Sequence, residues 1–200
     1  MLAAFPGARS THVESGWEDR WRAFHRPARV GPLWVGPPWE RPASGAVAVV
    51  IDPGRAFGTG AHPTTRLCLE LLLVEERGSV LDIGCGSGVL AIAAAKLGHA
   101  PVVAVDVDDS AVAATRANAG HNGVDVVVRR LDAVAAALPR ADLALANIAL
   151  GAVEELGERL DAAHVVTSGY LTSDAPSLRG FRRVERRQLD GWAADVHARL

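Results

Sequence analysis

The chain has 200 residues, of which 49% are hydrophobic, and its formal net charge at pH 7 is -2. This length fits one domain with a short appendage, and a near-neutral charge provides no field that favours nucleic acid or membrane. Two cysteines are too few for a disulfide framework, and the 7 histidines show no metal-ligand spacing. Without an apolar run of signal or membrane length, we expect a cytoplasmic protein that binds no metal.

The N-terminal part of the chain carries weak structural signals. Trp17, Trp21 and Phe24 recur at i, i+4 and i+7, which predicts one face of a helix. Three prolines interrupt the strand-like stretch "RVGPLWVGPPWE", a pattern typical of an edge strand or a linker. We therefore expect residues 1–45 to form a short segment and linker, and residues 46–200 to form the main domain.

A long polar loop, "DPGRAFGTGAHPTT", follows the apolar strand "GAVAVVID". Its glycines and prolines show neither helical nor strand period, which indicates irregular structure. A helix is predicted over "PTTRLCLELLLVEER", with Pro63 in its first turn.

Short apolar strands and helices alternate through the rest of the chain. The strands "SVLDI", "PVVAVDV", "DVVVRR", "ADLALAN" and "HVVTSGYL" are separated by helical or turn segments. This alternation predicts an α/β fold with a parallel sheet covered on both faces. The last two strands, "FRRVERRQL" and "WAADVHARL", follow each other closely, and we expect an antiparallel hairpin at one edge.

The strongest chemical signal is the glycine turn "VLDIGCGSG" between a predicted strand and a predicted helix. Gly84, Gly86 and Gly88 form GxGxG, whereas a dinucleotide fingerprint would place its third glycine at Val89. The pattern therefore favours a ligand without a pyrophosphate over NAD. Asp106 ends the next strand, where an acid can accept two hydrogen bonds from a ribose diol.

Together, "VLDIGCGSGVLAIAAAKLG" and "AVDVD" resemble the class I methyltransferases, which use S-adenosylmethionine. The stretches "DPGRAFGTGAHPTTRLCLELL" and "ANIALG" are similar to signatures of the ribosomal protein L-eleven methyltransferases (PrmA family). The resemblance implies a Rossmann-like, doubly wound sheet of seven strands, mostly parallel with an antiparallel edge strand. It also implies an S-adenosylmethionine-dependent N-methyltransferase for a ribosomal-protein lysine or N-terminal amine.

The same resemblance implies roles for individual residues. Asn147 is the expected catalytic residue, because its carbonyl can accept hydrogen bonds from an attacking amine and aim the lone pair. Asp132 matches a position that meets the adenine amino group, with a helix N-cap as the alternative, and Asp82 either orients the turn or faces the cofactor's ammonium. The expected cofactor-binding residues are Thr59, Thr65, Asp82, Gly84, Gly86, Asp106, Asp132 and Asn147.

Two features depart from the family pattern. Family members carry a separate N-terminal recognition domain, and we expect it to be absent here, since about 15 residues precede the linker-like segment. The stretch "TSDAPSLRG" is too short for the full helix expected before the sixth strand. Two alternatives therefore stay open: a methyltransferase for another protein lysine or a small-molecule amine, and a non-catalytic S-adenosylmethionine-binding protein. As partners we expect a protein substrate, neither nucleic acid nor membrane, and a monomer or homodimer.

Overall fold

A computed structural model describes residues 25–53 and 60–200 of the chain. A small sheet comes first, formed by β1 (Ala28–Val30), β2 (Leu33–Gly36) and β3 (Val47–Val50). Strand β2 is antiparallel to β1 and parallel to β3. This sheet pairs residues from both sides of the expected boundary at 45, and the division into a short segment and a main domain stays a prediction. The prolines permit the sheet because they lie in the turn between β1 and β2 and after β2, where no ladder hydrogen bond is lost.

Seven strands form the main sheet in the spatial order β6-β5-β4-β7-β8-β10-β9. Their bounds are β4 (Val80–Ile83), β5 (Val102–Asp106), β6 (Val127–Arg130), β7 (Leu143–Asn147), β8 (His164–Leu171), β9 (Phe181–Leu189) and β10 (Trp192–Arg199). Strands β4 to β8 pair in parallel, while β10 is antiparallel to both β8 and β9. The predicted seven-stranded, mostly parallel sheet is confirmed.

The β9–β10 hairpin turns through two residues with positive φ, Asp190 at 49° and Gly191 at 81°. Two such residues are what a type I′ hairpin turn requires. The turn sends β10 back between β8 and β9, so the antiparallel strand lies one position inside the sheet edge.

Helices cover both faces of the sheet, as the alternating pattern predicts. Three of them, α1 (Pro63–Leu72), α2 (Val89–Lys96) and α3 (Asp109–Asn122), share a core with the small sheet. Helix α4 (Leu150–Leu156) lies in a second core, which includes Leu81, Ile83 and Val105. Helix α1 ends five residues earlier than the apolar pattern predicts.

Residues 172–180, between β8 and β9, contain no helix, in agreement with the short stretch noted above. Arg186 fixes this segment, because its Nη2 donates to the carbonyl of Asp174 at 2.7 Å and its Nε to the buried Asp195 at 2.8 Å. The helix face predicted from Trp17, Trp21 and Phe24 lies outside the described residues. Within the described part of the chain, no helix is both long and apolar enough to cross a membrane.

Candidate functional site

The glycine turn joins the carboxyl end of β4 to the start of α2. Gly84, Gly86 and Gly88 have φ values of 69°, 55° and 83°, a region that side chains rarely adopt. A Cβ atom at Gly84 would collide with Ile148, and one at Gly88 would lie 2.8 Å from a methyl carbon of Thr115. The turn therefore accepts only glycine at these positions, and its main chain is open to close approach by a ligand.

Asp106, at the end of β5, supports this turn directly. Its Oδ2 accepts a hydrogen bond from Gly86 N at 3.0 Å, and its Oδ1 accepts one from Asp108 N at 3.0 Å. A carboxylate has about four lone-pair sites, so both oxygens keep capacity for the hydroxyls of a ribose. Asp106 thus shapes the turn and the start of α3 in addition to its predicted role with a ligand.

A cleft opens beside the turn, at the carboxyl ends of β4, β5 and β7. Its lining combines apolar walls with two carboxylates: Ile83, Gly84, Asp106, Val107, Leu131, Asp132, Ala133, Val134, Ile148 and Ala152. Asp132 Oδ1 accepts a hydrogen bond from Val134 N at 3.0 Å and closes a turn, whereas the sequence analysis allowed a helix N-cap. Apolar walls beside carboxylates suit an aromatic base joined to a sugar.

Asp82 lies beneath the turn and is 1% exposed. Its Oδ2 accepts a hydrogen bond from Ala91 N at 3.0 Å, which ties β4 to the first turn of α2. Burial raises the pKa of Asp82 to about 7, the Ala91 hydrogen bond opposes this rise, and the charge of Asp106 adds to it. Of the two roles expected for Asp82, this geometry supports orientation of the turn, and contact with the cofactor stays a prediction.

Asn147 ends β7 and meets the first turn of α1. Its Nδ2 donates to Thr65 Oγ1 at 3.4 Å, and Thr65 is completely buried. Its Oδ1 is also buried and has no hydrogen-bond partner among the described residues. Leaving a buried amide oxygen unpaired costs about 1–3 kcal/mol, so we expect a group outside the described residues to pair with it. Thr65 holds the amide that carries this oxygen, and direct contact of Thr65 with a cofactor stays a prediction.

A second pocket adjoins Asn147 and has two aromatic residues in its wall. Its lining is His62, Thr64, Asn147, Ile148, Ala149, Gly169 and Trp192. The rings of His62 and Trp192 make an edge-to-face contact with centroids 4.9 Å apart. His62 also caps α1, since its Nδ1 accepts a hydrogen bond from Thr64 N at 3.4 Å, and the same Nδ1 lies 2.8 Å from Thr64 Oγ1. Sequence reasoning missed Trp192, because it lies beyond every motif and no local pattern marks it.

Gly169 sets the path of the chain after Asn147. It forms a bulge in β8 with a φ of 104°, and a Cβ there would lie 2.7 Å from the carbonyl carbon of Ile148. Ile148 N donates to Ser168 O at 3.1 Å, which holds this segment against β8. A glycine inside an apolar strand is the signal that could have revealed this close approach.

One predicted site residue cannot be placed. Thr59 lies outside the described residues, together with Gly58 and most of the glycine-rich loop, and its role stays a prediction. Within residues 25–53 and 60–200, no group of three or more histidine, cysteine or acidic side chains could hold a metal ion.

Known proteins resemble this chain in sequence and in structure. A protein of Symbiobacterium thermophilum named "Ribosomal protein L11 methyltransferase" is 40% identical over 210 residues, covering 96% of this chain and 69% of that protein. A protein of the same name from Chromobacterium violaceum is 48% identical over 162 residues, covering 79% of this chain and 53% of the relative. The crystal structure of a ribosomal protein L11 methylase from Lactobacillus delbrueckii subsp. bulgaricus matches with a TM-score of 0.72 and 31% identity, covering 84% of this chain and 95% of that chain.

The curated relatives are longer than this chain, which spans between 53% and 69% of the two named above. Methyltransferases of this fold in general use S-adenosylmethionine. The family profile described as "Ribosomal protein L11 methyltransferase (PrmA)" matches residues 4–193, nearly the whole chain. The resemblance seen in the motifs is confirmed, and the chain belongs to the PrmA family of ribosomal protein L11 methyltransferases.

Proposed function

We propose that this chain binds S-adenosylmethionine beside the glycine turn and transfers its methyl group to an amine of a ribosomal protein of the L11 type. The names of the relatives support the substrate class. One structural observation carries the chemistry: the buried Oδ1 of Asn147, which has no hydrogen-bond partner among the described residues and belongs to a residue that lines the pocket walled by His62 and Trp192.

The cleft fits the adenosine part of the cofactor. Gly84 and Gly86 expose main chain, Asp106 has free lone pairs for the ribose hydroxyls, and Asp132 stands on the cleft wall where an adenine amino group would need an acceptor. S-adenosylmethionine supplies an activated methyl group on a sulfonium, so the chain has to bind, align and exclude water. Asn147 lines the neighbouring pocket, where the acceptor amine would bind.

Asn147 positions the amine rather than deprotonating it. An amide oxygen accepts hydrogen bonds from the N–H groups of a neutral amine, and this leaves the amine lone pair free to face the methyl group. In the described part of the chain, no carboxylate lines the second pocket, where the substrate amine would bind. No negative charge of these lining residues therefore favours the protonated form of that amine. A free lysine has a pKa near 10.4, and desolvation in a pocket walled by His62 and Trp192 would lower it toward the reactive neutral form.

The test uses methyl-labelled S-adenosylmethionine with purified ribosomal protein L11 and, separately, with a cell lysate. We expect label in L11, and Asn147→Ala should lower the turnover number about 10–100-fold while cofactor affinity stays within about twofold, since one oriented hydrogen bond is lost. Ile148→Val controls for a change in pocket packing, because it trims a side chain that lines both pockets and leaves the amide of Asn147 in place; its turnover number should fall much less than that of Asn147→Ala.

The outcomes separate the open alternatives. Label in a different lysate protein or in a small molecule would refute L11 as substrate and keep methyl transfer. Cofactor binding without any labelled product would indicate a non-catalytic binding protein. Full turnover by Asn147→Ala would reduce Asn147 to a residue that merely ends its strand.

A further inference from the structure

Three buried polar side chains follow one face of α3. Thr115, Asn118 and Asn122 are 0%, 4% and 9% exposed, and their spacing of i, i+3 and i+7 aligns them along the helix. Buried amides and hydroxyls require hydrogen-bond partners. Each of the three finds at least one partner outside α3, so the face is a polar contact surface for other parts of the chain.

The two asparagines bind the end of β3. Val50 N donates to Asn122 Oδ1 at 2.9 Å, and Asn122 Nδ2 donates back to Val50 O at 2.6 Å. Asp52 N donates to Asn118 Oδ1 at 3.1 Å. Strand β3 pairs with β2 on one side only, so the amides of α3 take the place of a neighbouring strand on the other.

Asn118 also contacts the glycine turn. Its Nδ2 donates to the carbonyl of Ser87 at 2.9 Å, one turn residue before Gly88. Thr115 adds a hydrogen bond from its Oγ1 to the carbonyl of Gly86 at 3.0 Å. The oxygen and nitrogen of the Asn118 amide are fixed in one plane. A shift of the main chain at Asp52 therefore changes the hydrogen bond to Ser87, and a shift at Ser87 changes the hydrogen bond from Asp52.

We propose that Asn118 is a positioning residue for the cofactor site, which couples the main chain at Asp52 to the glycine turn at Ser87. Asp52 opens the glycine-rich loop, and the turn carries the predicted adenosine contacts. The glycine turn and the start of the segment that follows β3 are therefore held in register by one side chain. This inference rests on the proposed binding of S-adenosylmethionine.

A matched pair of variants tests the coupling. Asn118→Ala and Asn122→Ala remove the same atoms from neighbouring buried sites. The first removes hydrogen bonds to Asp52 N and Ser87 O, and the second removes those to both main-chain groups of Val50 and to the carbonyl of Asn118. Only Asn118→Ala affects the glycine turn. By calorimetry it should weaken S-adenosylmethionine binding about tenfold, equivalent to about 1.4 kcal/mol, while Asn122→Ala stays within about twofold. Both should lower the melting temperature by similar amounts.

Equal losses of affinity in the two variants would overturn the inference, as would an unchanged affinity in Asn118→Ala. The wild-type protein provides a second test that needs no variant to fold. Hydrogen exchange at the Asp52 amide should slow when S-adenosylmethionine is added, and an unchanged rate would overturn the coupling. A wild-type protein that binds no S-adenosylmethionine would refute the proposed function as well, whereas normal binding without these effects refutes the coupling alone.

Discussion

Replacing Gly169 with alanine should displace the main chain at Ile148, which directly follows Asn147 and lines both the cofactor cleft and the second pocket. The new Cβ would lie 2.7 Å from the carbonyl carbon and 3.1 Å from the nitrogen of Ile148, and these are main-chain atoms that cannot rotate away. A side chain at the φ of 104° adds backbone strain of about 1–3 kcal/mol, and overpacking adds about 1–3 kcal/mol. We expect Gly169→Ala to lower the free energy of unfolding by about 2–6 kcal/mol.

The same displacement should reach Asn147, which directly precedes Ile148. A shift of about 1 Å in an aligning group can cost about 100-fold in rate, so the turnover number should fall by that order. The affinity for S-adenosylmethionine should fall less than the turnover number, because Ile148 is one of ten residues that line the cofactor cleft. Urea denaturation, steady-state kinetics and calorimetry measure the three quantities on one preparation.

Gly191→Ala is the matched control for this experiment. Gly191 also has a positive φ, 81°, but a Cβ there meets no atom within 4 Å. It should therefore show the backbone strain alone, about 1–2 kcal/mol, with unchanged turnover. Equal stability losses in the two variants would refute the steric contact, and normal turnover by Gly169→Ala would refute its role in placing Asn147.

Two further predictions concern carboxylates. Asp106→Asn offers one acceptor oxygen where the carboxylate offers two, so calorimetry should show S-adenosylmethionine binding weakened about 10–100-fold. The control is Asp109→Asn, which removes an equal charge from an exposed neighbour and should leave the affinity within about twofold of the wild type. Equal losses of affinity in the two variants would indicate a general effect of charge. Burial raises the pKa of Asp82 to about 7. The folded state therefore keeps a proton that the unfolded chain loses near pH 4. As a result, the free energy of unfolding should fall as the pH rises from about 4 to 7. Asp82→Asn should lack this loss of stability, so the difference between its urea midpoint and that of the wild type should change between pH 4.5 and 7.5. A constant difference over this range would contradict the prediction.

Local patterns were sufficient to predict the main sheet. Strands of a parallel sheet are buried on both faces and leave continuous apolar runs, such as "SVLDI" and "LALAN", between helices. The glycine turn was also predictable, because glycine is the residue type that readily adopts positive φ, and Gly84, Gly86 and Gly88 all have positive φ values.

Pairing between distant segments was not predictable in the same way. The prolines around β2 suggested a linker, because a linear pattern does not show whether a proline falls within a ladder or in a turn. Strand β2 is completed by β3, with Leu33 opposite Val47, and ten residues separate the two strands. The helix face at Asn118 and Asn122 was missed for a related reason: their partners are main-chain groups about 30 to 70 residues away, which carry no residue pattern.

By itself, the sequence determined the α/β alternation, the glycine turn, the acid at Asp106 and, through its motifs, the family. Only the tertiary structure decided which side chains surround Asn147. His62 is the N-cap of α1, Gly169 forms the bulge in β8, and Trp192 is the first residue of β10. These residues lie together around Asn147 because β8 is next to β7 in the sheet and β10 is next to β8. The order of the strands depends on hydrogen bonds and buried contacts between segments that are far apart in the chain. The free energy of these contacts cannot be read from any short stretch of sequence.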